Sequence, residues 1–403
     1  MKAVMYGAGN IGRGFIGTLF AGSGFEVTFI DIAEDIVERL HREHRYPVRI
    51  VSDRGYEDRE ITGVDAVNGK DTEAAAQAIA EADIMATAVG VKVLPFIAPL
   101  VAAGIRKRFA VTTKPLNIII CENLMDANAV FEGLLKEQLS PEERDQFDRQ
   151  IGLVEAAIGR MVPVQTAEMQ DGDPLRVCVE PYGFLPVDKD AFKGDIPCIT
   201  GMIPCAPFGF YIKRKLYVHN MGHALCAYLG SCLGIEYIWQ AIKNPDIRLL
   251  AQNAMLESAR SLSSCYGFPM GALLNHIDDL LCRFGNAALG DTCKRVGADP
   301  VRKLSPADRL IGAASFCLNQ KICPAYISAG AAGAVYQYLA DNKRQQTEEN
   351  AMEVLEHISG VKAGSDLAGY ILNLYGIYRC GGGAAEIRQT AEELRAEKNR
   401  DVV

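Results

Sequence analysis

The chain has 403 residues, which is long for one simple core, so two domains are expected. Its 49% apolar and 23% charged residues are ordinary for a soluble globular protein. A net charge of −8 argues against nucleic acid or an anionic membrane surface as the main partner, and leaves a small anionic substrate open through local basic clusters.

Residues 2–6 are a short apolar run of the buried-strand type. The run leads into Gly7-Ala8-Gly9-Asn10-Ile11-Gly12, and a helical pattern continues from Arg13 through Phe20. Gly-x-Gly-x-x-Gly gains its meaning from this setting between a strand and a helix. Gly7 permits the tight turn, Gly9 lets the backbone approach a pyrophosphate, and Gly12 allows close helix–strand packing, with the helix N-terminus facing the anion. The next strand, 26–30, ends in Asp31. That is about twenty residues past the glycines, where a carboxylate meets the ribose 2′-hydroxyl of NAD. Ile32-Ala33-Glu34 follow, with no Arg to hold a 2′-phosphate, so NAD is expected rather than NADP.

The alternation of strand and helix continues. Residues 36–44 read as helix, 48–51 and 60–67 as a strand pair, and 72–82 as an alanine-rich helix. The strand at 84–88 ends in Thr87-Ala88-Val89-Gly90, small residues that can pass beneath a nicotinamide ribose; an ordinary tight βα turn has the same composition. The region from 84 to 105 is the most apolar, but Lys92, Pro95 and Pro99 divide it into strand, loop and helix rather than a membrane span. The strand at 116–121 terminates in Glu122-Asn123. Ligands of open α/β sheets bind beyond the carboxyl ends of strands, which would give the Asn123 amide a reacting oxygen to face; an Asn that opens a helix is also a common N-cap. A helix is expected over 131–138, another opening at Ser140-Pro141-Glu142-Glu143, and strands at 151–154 and 175–179. Residues 1–207 thus read as an α/β domain with a Rossmann-type doubly wound sheet.

After a Gly-, Pro- and Cys-rich loop at 193–207, helical patterns dominate, so 208–403 reads as a mostly helical second domain. Helices are expected at 213–233, 235–243, 246–266, 270–284, 306–319, 325–338 and 347–358. A highly charged terminal helix, 384–400, follows three glycines and reads as a solvated or oligomer-contact face. Ser305 as N-cap and Pro306 at the first position would place Arg302 and Lys303 just before a helix N-terminus, a place to bind phosphate or carboxylate; a solvated basic turn reads equally well. The twelve cysteines contain no Cys-x-x-Cys pair, which excludes a zinc signature and a disulfide framework and suits reduced thiols in the cytoplasm. No metal site is expected. Glycines interrupt the apolar run after Lys2, so no signal peptide is read.

Lys215-Leu216-Tyr217-Val218-His219-Asn220-Met221-Gly222-His223 carries the chemistry-bearing side chains. On an ideal helix at about 100° per residue, Asn220 falls near ~140° and His223 near ~80° from Lys215. An amine, an amide and an imidazole then share one face and reach one small polar ligand. A lysine in such company acts as a general base if its pKa falls from ~10.4 towards ~7–8. A solvated Lys, a capping Asn and a partner-satisfied His would show the same spacing.

These stretches together resemble the mannitol dehydrogenase family, the polyol-specific long-chain dehydrogenase/reductases. The likeness runs through 7–17, Pro115 to Asn123, Arg214-Lys215-Leu216 to Asn220 and His223, and Arg302-Lys303-Leu304-Ser305 to Asp308-Arg309-Leu310. It implies metal-independent hydride transfer with NAD in a cleft between the domains. Lys215 would be the general base, Asn123 and Asn220 the donors to the developing alkoxide, and His223 the residue that orients substrate hydroxyls. The implied reaction interconverts mannitol 1-phosphate and fructose 6-phosphate. One departure stands out: the family's substrate-contacting Asp before Arg-x-x-Pro is Gly159 here, ahead of Arg160-Met161-Val162-Pro163. Arg160, Arg302 and Lys303 remain candidates for substrate binding. The same chemistry on a free polyol or a hexuronate (fructuronate or tagaturonate) is the alternative. A non-catalytic NAD-binding regulator is disfavoured, because it would not need Lys215, Asn123, Asn220 and His223 together. A monomer or small homo-oligomer is expected.

Overall fold

The computed structural model of the chain describes residues 1–124 and 126–400, the last two by backbone alone. The chain divides into two compact units, Met1–Tyr211 and Ile212–Val403.

The first unit is built on a parallel sheet. Its strands are β1 (Lys2–Tyr6), β2 (Glu26–Asp31), β5 (Val64–Asn68), β6 (Ile84–Thr87), β7 (Leu116–Ile120) and β8 (Ile151–Glu155), in the order β5-β2-β1-β6-β7-β8. Alternation along β1 divides the core. Ala3 and Met5 pack with Phe15, Phe20 and Phe29 on one face, and Val4 and Tyr6 pack with Ile79, Met85 and Ile97 on the other. Both faces are therefore buried, as a parallel sheet requires. The order reverses between β1 and β6, and ligands of such sheets bind at the carboxyl ends of strands at this point.

The expected strand at 60–67 is two strands. β3 (Arg45–Ser52) and β4 (Gly55–Thr62) form an antiparallel hairpin in a smaller sheet with β9 (Val177–Val179). Gly63, at φ 72°, turns the chain out of this hairpin so that β5 can join β2 in the main sheet. The helix expected at the end of the apolar region 84–105 runs over Leu94–Val111, because the apolar pattern continues through Ile105 and the buried Arg108 donates to the carbonyls of Ala80 and Ala82. Two further strands, β10 (Leu185–Asp188) and β11 (Met202–Cys205), pair in parallel with each other.

The second unit is helical. The alanine- and glycine-rich helix Ala325–Asp341 is buried along most of its length, and small side chains let the helices Met221–Cys232, Pro245–Tyr266 and Asp366–Arg379 pack closely on it. The helix Asp366–Arg379 was not expected from the pattern. Another correction concerns 306–319. Asp299 caps a short helix, Pro300–Lys303, by accepting from the Arg302 amide, and the next helix begins only at Ile311. Arg302 and Lys303 therefore sit in the last turn of a helix, not before an N-terminus. Asp299-Pro300 is itself a cap and first-position pair, and it preempts Ser305-Pro306.

Pro324, at the N-cap of Ala325–Asp341, makes no side-chain cap. Glu257 supplies it from a neighbouring helix: Oε1 accepts from the Tyr326 amide and Oε2 from the Ile327 amide, each at 3.0 Å. Burial outweighs those two donors and pushes the Glu257 carboxyl up to about 8. Between its ordinary pKa and about 8 the folded chain therefore binds more protons than the unfolded chain, and stability falls as pH rises through that window. The denaturation midpoint should fall between pH 5 and pH 8 more steeply for the natural chain than for Glu257→Gln. The difference in slope is at most about 1.4 kcal/mol per pH unit. Equal slopes in chemical denaturation would place the Glu257 pKa outside the window.

Candidate active site

The turn after β1 is shaped by contacts too close for any side chain. Gly7 has φ 102°, and a Cβ there would lie 2.5 Å from the Ala88 carbonyl oxygen. A Cβ on Gly12 would lie 1.8 Å from the Gly7 carbonyl oxygen. Asp31, at the end of β2, fastens the turn: Oδ2 accepts from the Ala8 amide at 2.6 Å, and Oδ1 accepts from the Ile32 and Ala33 amides at 2.7 and 3.0 Å. A carboxylate offers about four lone-pair sites, so one remains for a ligand hydroxyl. The negative charge here opposes a 2′-phosphate. Lys70, on the loop after β5, is bound to Glu34 at 2.7 Å.

These elements border a cleft of about 610 Å³ that brings together Gly7, Gly9, Asp31, Ala88 and Val89 of the expected cofactor residues. Sequence reasoning missed its apolar wall. Phe96 is 81% exposed in the first turn of Leu94–Val111, and with Ile32 it offers a flat ring such as adenine a surface to lie on. Gly9 and Asn10 are exposed at the turn, and a Cβ on Gly9 would meet nothing. The cleft, its carboxylate and its glycine turn fit NAD.

Other expected cofactor residues are placed differently. Arg13 points inward: its Nε donates to the Ala8 carbonyl at 2.7 Å and Nη1 to the Leu175 carbonyl, and burial lowers its pKa. It braces the turn and does not line the cleft. Ile11, half-buried, packs against the core. The Thr87 hydroxyl is buried at the end of β6. Asn123 is exposed beyond the end of β7, and the N-cap position of the helix that follows, Ala127–Glu137, is Asp126 rather than Asn123. Glu122, not singled out in the sequence, is buried and accepts from the Val89 and Gly90 amides.

In the second unit, residues Arg214–Asn220 form a π-helical turn, with the Met221 amide reaching back to the Leu216 carbonyl. Lys215 and Asn220 are five apart, so the wide turn brings them closer to one line than the ~140° of a regular helix. His223 follows in the helix Met221–Cys232, its ring stacked on Phe284 at 4.9 Å. Nε2 lies 3.6 Å from Asp291 Oδ2, which is ion-pair range. Burial, and then the charges of Arg295, Arg309, Arg283 and Lys303, lower the His223 pKa to about 3. The ring is therefore neutral, and Asp291 is committed to Arg295. Lys303, one of those charges, is 3% exposed, with Nζ donating to the Ala298 carbonyl; burial and the charges of Arg309 and Arg302 bring its pKa down to about 8. Arg302 instead turns outward to Asp299 at 3.0 Å. Arg295 and Arg309 were not among the expected substrate residues; the signal in the sequence is their closeness to Arg302 and Lys303 within residues 295–309. Arg160, in the first unit, donates from Nη1 to the Gly14 carbonyl at 2.9 Å and lies 5.0 Å over the Phe15 ring. Among the described residues no three His, Cys, Asp or Glu gather as a metal set, and no helix is long and apolar enough to cross a membrane.

Two family models cover most of the chain: the mannitol dehydrogenase Rossmann domain over residues 1–201 and the mannitol dehydrogenase C-terminal domain over 209–375. The chain belongs to the mannitol dehydrogenase family. As a member it is an NAD-dependent oxidoreductase acting on a CH–OH group. Among its relatives is a mannitol-1-phosphate 5-dehydrogenase of Brevibacillus brevis, 36% identical over 91% of this chain and 95% of the relative. Another mannitol-1-phosphate 5-dehydrogenase, from Shouchella clausii, is 39% identical over 84% of this chain and 89% of its own. The fold is shared with a crystal structure of D-sorbitol dehydrogenase (TM-score 0.80, 16% identity, 96% of this chain and 94% of the other). It is shared also with the Pseudomonas fluorescens mannitol 2-dehydrogenase complex with NAD and D-mannitol (TM-score 0.75, 15% identity, 98% and 94%).

For this family member, Asp31→Ala should weaken NADH binding about 10-fold or more and narrow the preference for NADH over NADPH, since a charge-assisted hydrogen bond and a repulsive charge are both removed. Fluorescence titration with both nucleotides reads this directly. NADH affinity equal to that of the natural chain would remove Asp31 from the ribose contact.

Proposed function

We propose that this mannitol dehydrogenase family member interconverts mannitol 1-phosphate and fructose 6-phosphate, without a metal ion, in the cytoplasm. The observation that carries the phosphate is the set of cations around His223, about one turn beyond Asn220. Its relatives of 36% and 39% identity are named for that phosphorylated substrate, which supports the same reading.

When bound, NAD supplies the hydride acceptor for the alcohol carbon. Lys215, as the free amine, takes the hydroxyl proton as the hydride departs, and in the reverse direction its ammonium returns that proton to the alkoxide. The side-chain amides of Asn123 and Asn220 donate to the developing alkoxide, a role in which one donor is worth roughly 2.7–4 kcal/mol. His223, neutral at physiological pH, offers one N–H donor and one acceptor to the substrate hydroxyls and competes for no proton. Lys303, Arg295 and Arg309 provide positive charge for the phosphate. A hexuronate carboxylate would suit the same cations less fully than a phosphate dianion. Gly159 carries no carboxylate where the family's polyol-contacting Asp would stand, and a Cβ there would meet the half-buried Tyr182 ring at 3.0 Å, so a side chain at this position would need that ring to shift. This favours a substrate gripped through its phosphate over a free polyol gripped through its hydroxyls.

NADH oxidation with fructose 6-phosphate, fructose, fructuronate and tagaturonate should be fastest with fructose 6-phosphate. Faster turnover of an unphosphorylated ketose or keto-acid would overturn the substrate, and NADH binding without turnover of any would favour a regulatory protein. Lys215→Ala should lower kcat by orders of magnitude and leave NADH affinity nearly intact; lost NADH binding would sink the base assignment. Lys303 carries its charge below about 8 and loses it above. The KM for fructose 6-phosphate should therefore climb as pH passes through about 8, and Lys303→Gln should flatten that climb. A KM that rises identically in the variant would take Lys303 off the phosphate.

A further inference from the structure

Glu122 is 6% exposed and spends its carboxylate on backbone alone. Oε1 accepts from the Val89 amide at 2.9 Å and Oε2 from the Gly90 amide at 2.8 Å. Both donors lie in the loop after β6, whose Ala88 and Val89 line the cofactor cleft. Gly90 has φ 90°, so this loop turns through a conformation other residues rarely adopt, and it needs an external partner to hold it. Only a carboxylate presents acceptors on both of its atoms to two adjacent N–H groups; an amide would set an N–H₂ against one of them.

The loop and the end of β7 are further joined by the Cys121 amide, which donates to the Thr87 carbonyl at 2.9 Å, and the Ala88 amide donates to the Tyr6 carbonyl at 2.9 Å. Gly7 packs without a side chain against the Ala88 carbonyl. The residue after Glu122 is Asn123, one Cα step away. A continuous set of backbone contacts thus leads from the glycine turn through the loop at Val89 and Gly90 to the residue carrying the alkoxide-donating amide.

We propose that Glu122 is a positioning residue that couples the cofactor-lining loop at Val89 and Gly90 to Asn123, so that the cofactor site and the alkoxide donor are set by one carboxylate. This rests on the reading of Asn123 as an alkoxide donor. Filling the cleft stabilises the loop, the loop holds the Glu122 carboxylate, and the carboxylate fixes the backbone on which Asn123 stands. A residue whose only role is to hold the fold would affect stability and leave NADH affinity and kcat untied.

The test uses the full-length chain and four variants: Glu122→Gln, Glu122→Asp, Asn123→Ala and the double variant Glu122→Gln/Asn123→Ala. Tm, NADH affinity by fluorescence, and kcat for fructose 6-phosphate reduction are measured for each. Glu122→Gln should weaken NADH binding and lower kcat, each by about 10-fold or more, with little change in Tm. Glu122→Asp keeps the charge but cannot span both amides, and should fall between Gln and the natural residue; it also serves if the Gln variant does not fold. The double variant should have the kcat of Asn123→Ala, since the brace has nothing left to position. Losses in kcat that multiply in the double variant overturn the coupling, as does a Glu122→Gln enzyme with natural NADH affinity and kcat. An Asn123→Ala enzyme of undiminished kcat overturns the alkoxide reading itself and the coupling with it.

Discussion

A carboxylate–amide contact, Asp31 Oδ2 to the Ala8 amide at 2.6 Å, closes the turn on which the first unit's function depends. The chain leaving β1 must reverse within a few residues and begin a helix. Gly7 makes this possible by adopting a positive φ, but a permissive residue does not choose one conformation. The choice is made by Ala8. Its N–H is held by Asp31 and its carbonyl by the buried Arg13 guanidinium, while the Gly7 amide bonds to the Ile30 carbonyl at 2.8 Å. With both of its backbone groups fixed, Gly9 is turned outward. Arg13 is therefore as necessary to the cofactor turn as the glycines, although it faces the opposite way, and its charge is offset in a dry interior by carbonyl oxygens.

The two wide helical turns among the described residues follow a common logic. At Gly12–Ile16 the Gly17 amide reaches the Gly12 carbonyl, and at Arg214–Asn220 the Met221 amide reaches the Leu216 carbonyl. Each adds one residue to a turn and so rotates everything after it relative to everything before. In the first unit the extra residue lets the glycine-rich helix pass under β9, where Gly14 faces Val177 and Val179. In the second it draws Asn220 back toward Lys215 while leaving His223 on the regular helix beyond. Single π turns are rare and are found often at functional sites, since irregular hydrogen bonding persists only where the surroundings impose it.

The sheet and its cofactor turn were legible because short continuous apolar runs and a glycine spacing are local signals, and so was Ser140-Pro141-Glu142-Glu143, whose capping box forms as expected. What stayed hidden depends on partners distant in sequence. Nothing near Arg13 says that it will meet the Leu175 carbonyl, and nothing near Glu122 says that Val89 and Gly90 will present their amides to it. The π turn was read as regular helix because hydrophobic periodicity over seven residues does not separate 3.6 residues per turn from a slightly wider winding. Residues 60–67 were read as one strand because the break at Gly63 follows from the chain's change of sheet, which alternation alone does not record.

The net charge of −8 gave no hint of the cations gathered at His223, because charge summed over a chain says little about a pocket. Arg295 and Arg309 are each partnered by a carboxylate, Asp291 and Asp308, so the pocket is not an unbalanced cluster waiting to repel itself apart. Its local excess is nonetheless felt by the two groups that titrate most easily: the imidazole of His223 is held neutral and the ammonium of Lys303 is brought near to losing its proton. Both shifts have burial as their largest cause, and the low dielectric that produces them also strengthens the attraction of the same cations for an anion. Surroundings that suppress the histidine charge in this way would, on the proposed reading, favour an anion from outside. On the proposed reading, the substrate phosphate would restore to Lys303 the electrostatic support that its neighbours withdraw.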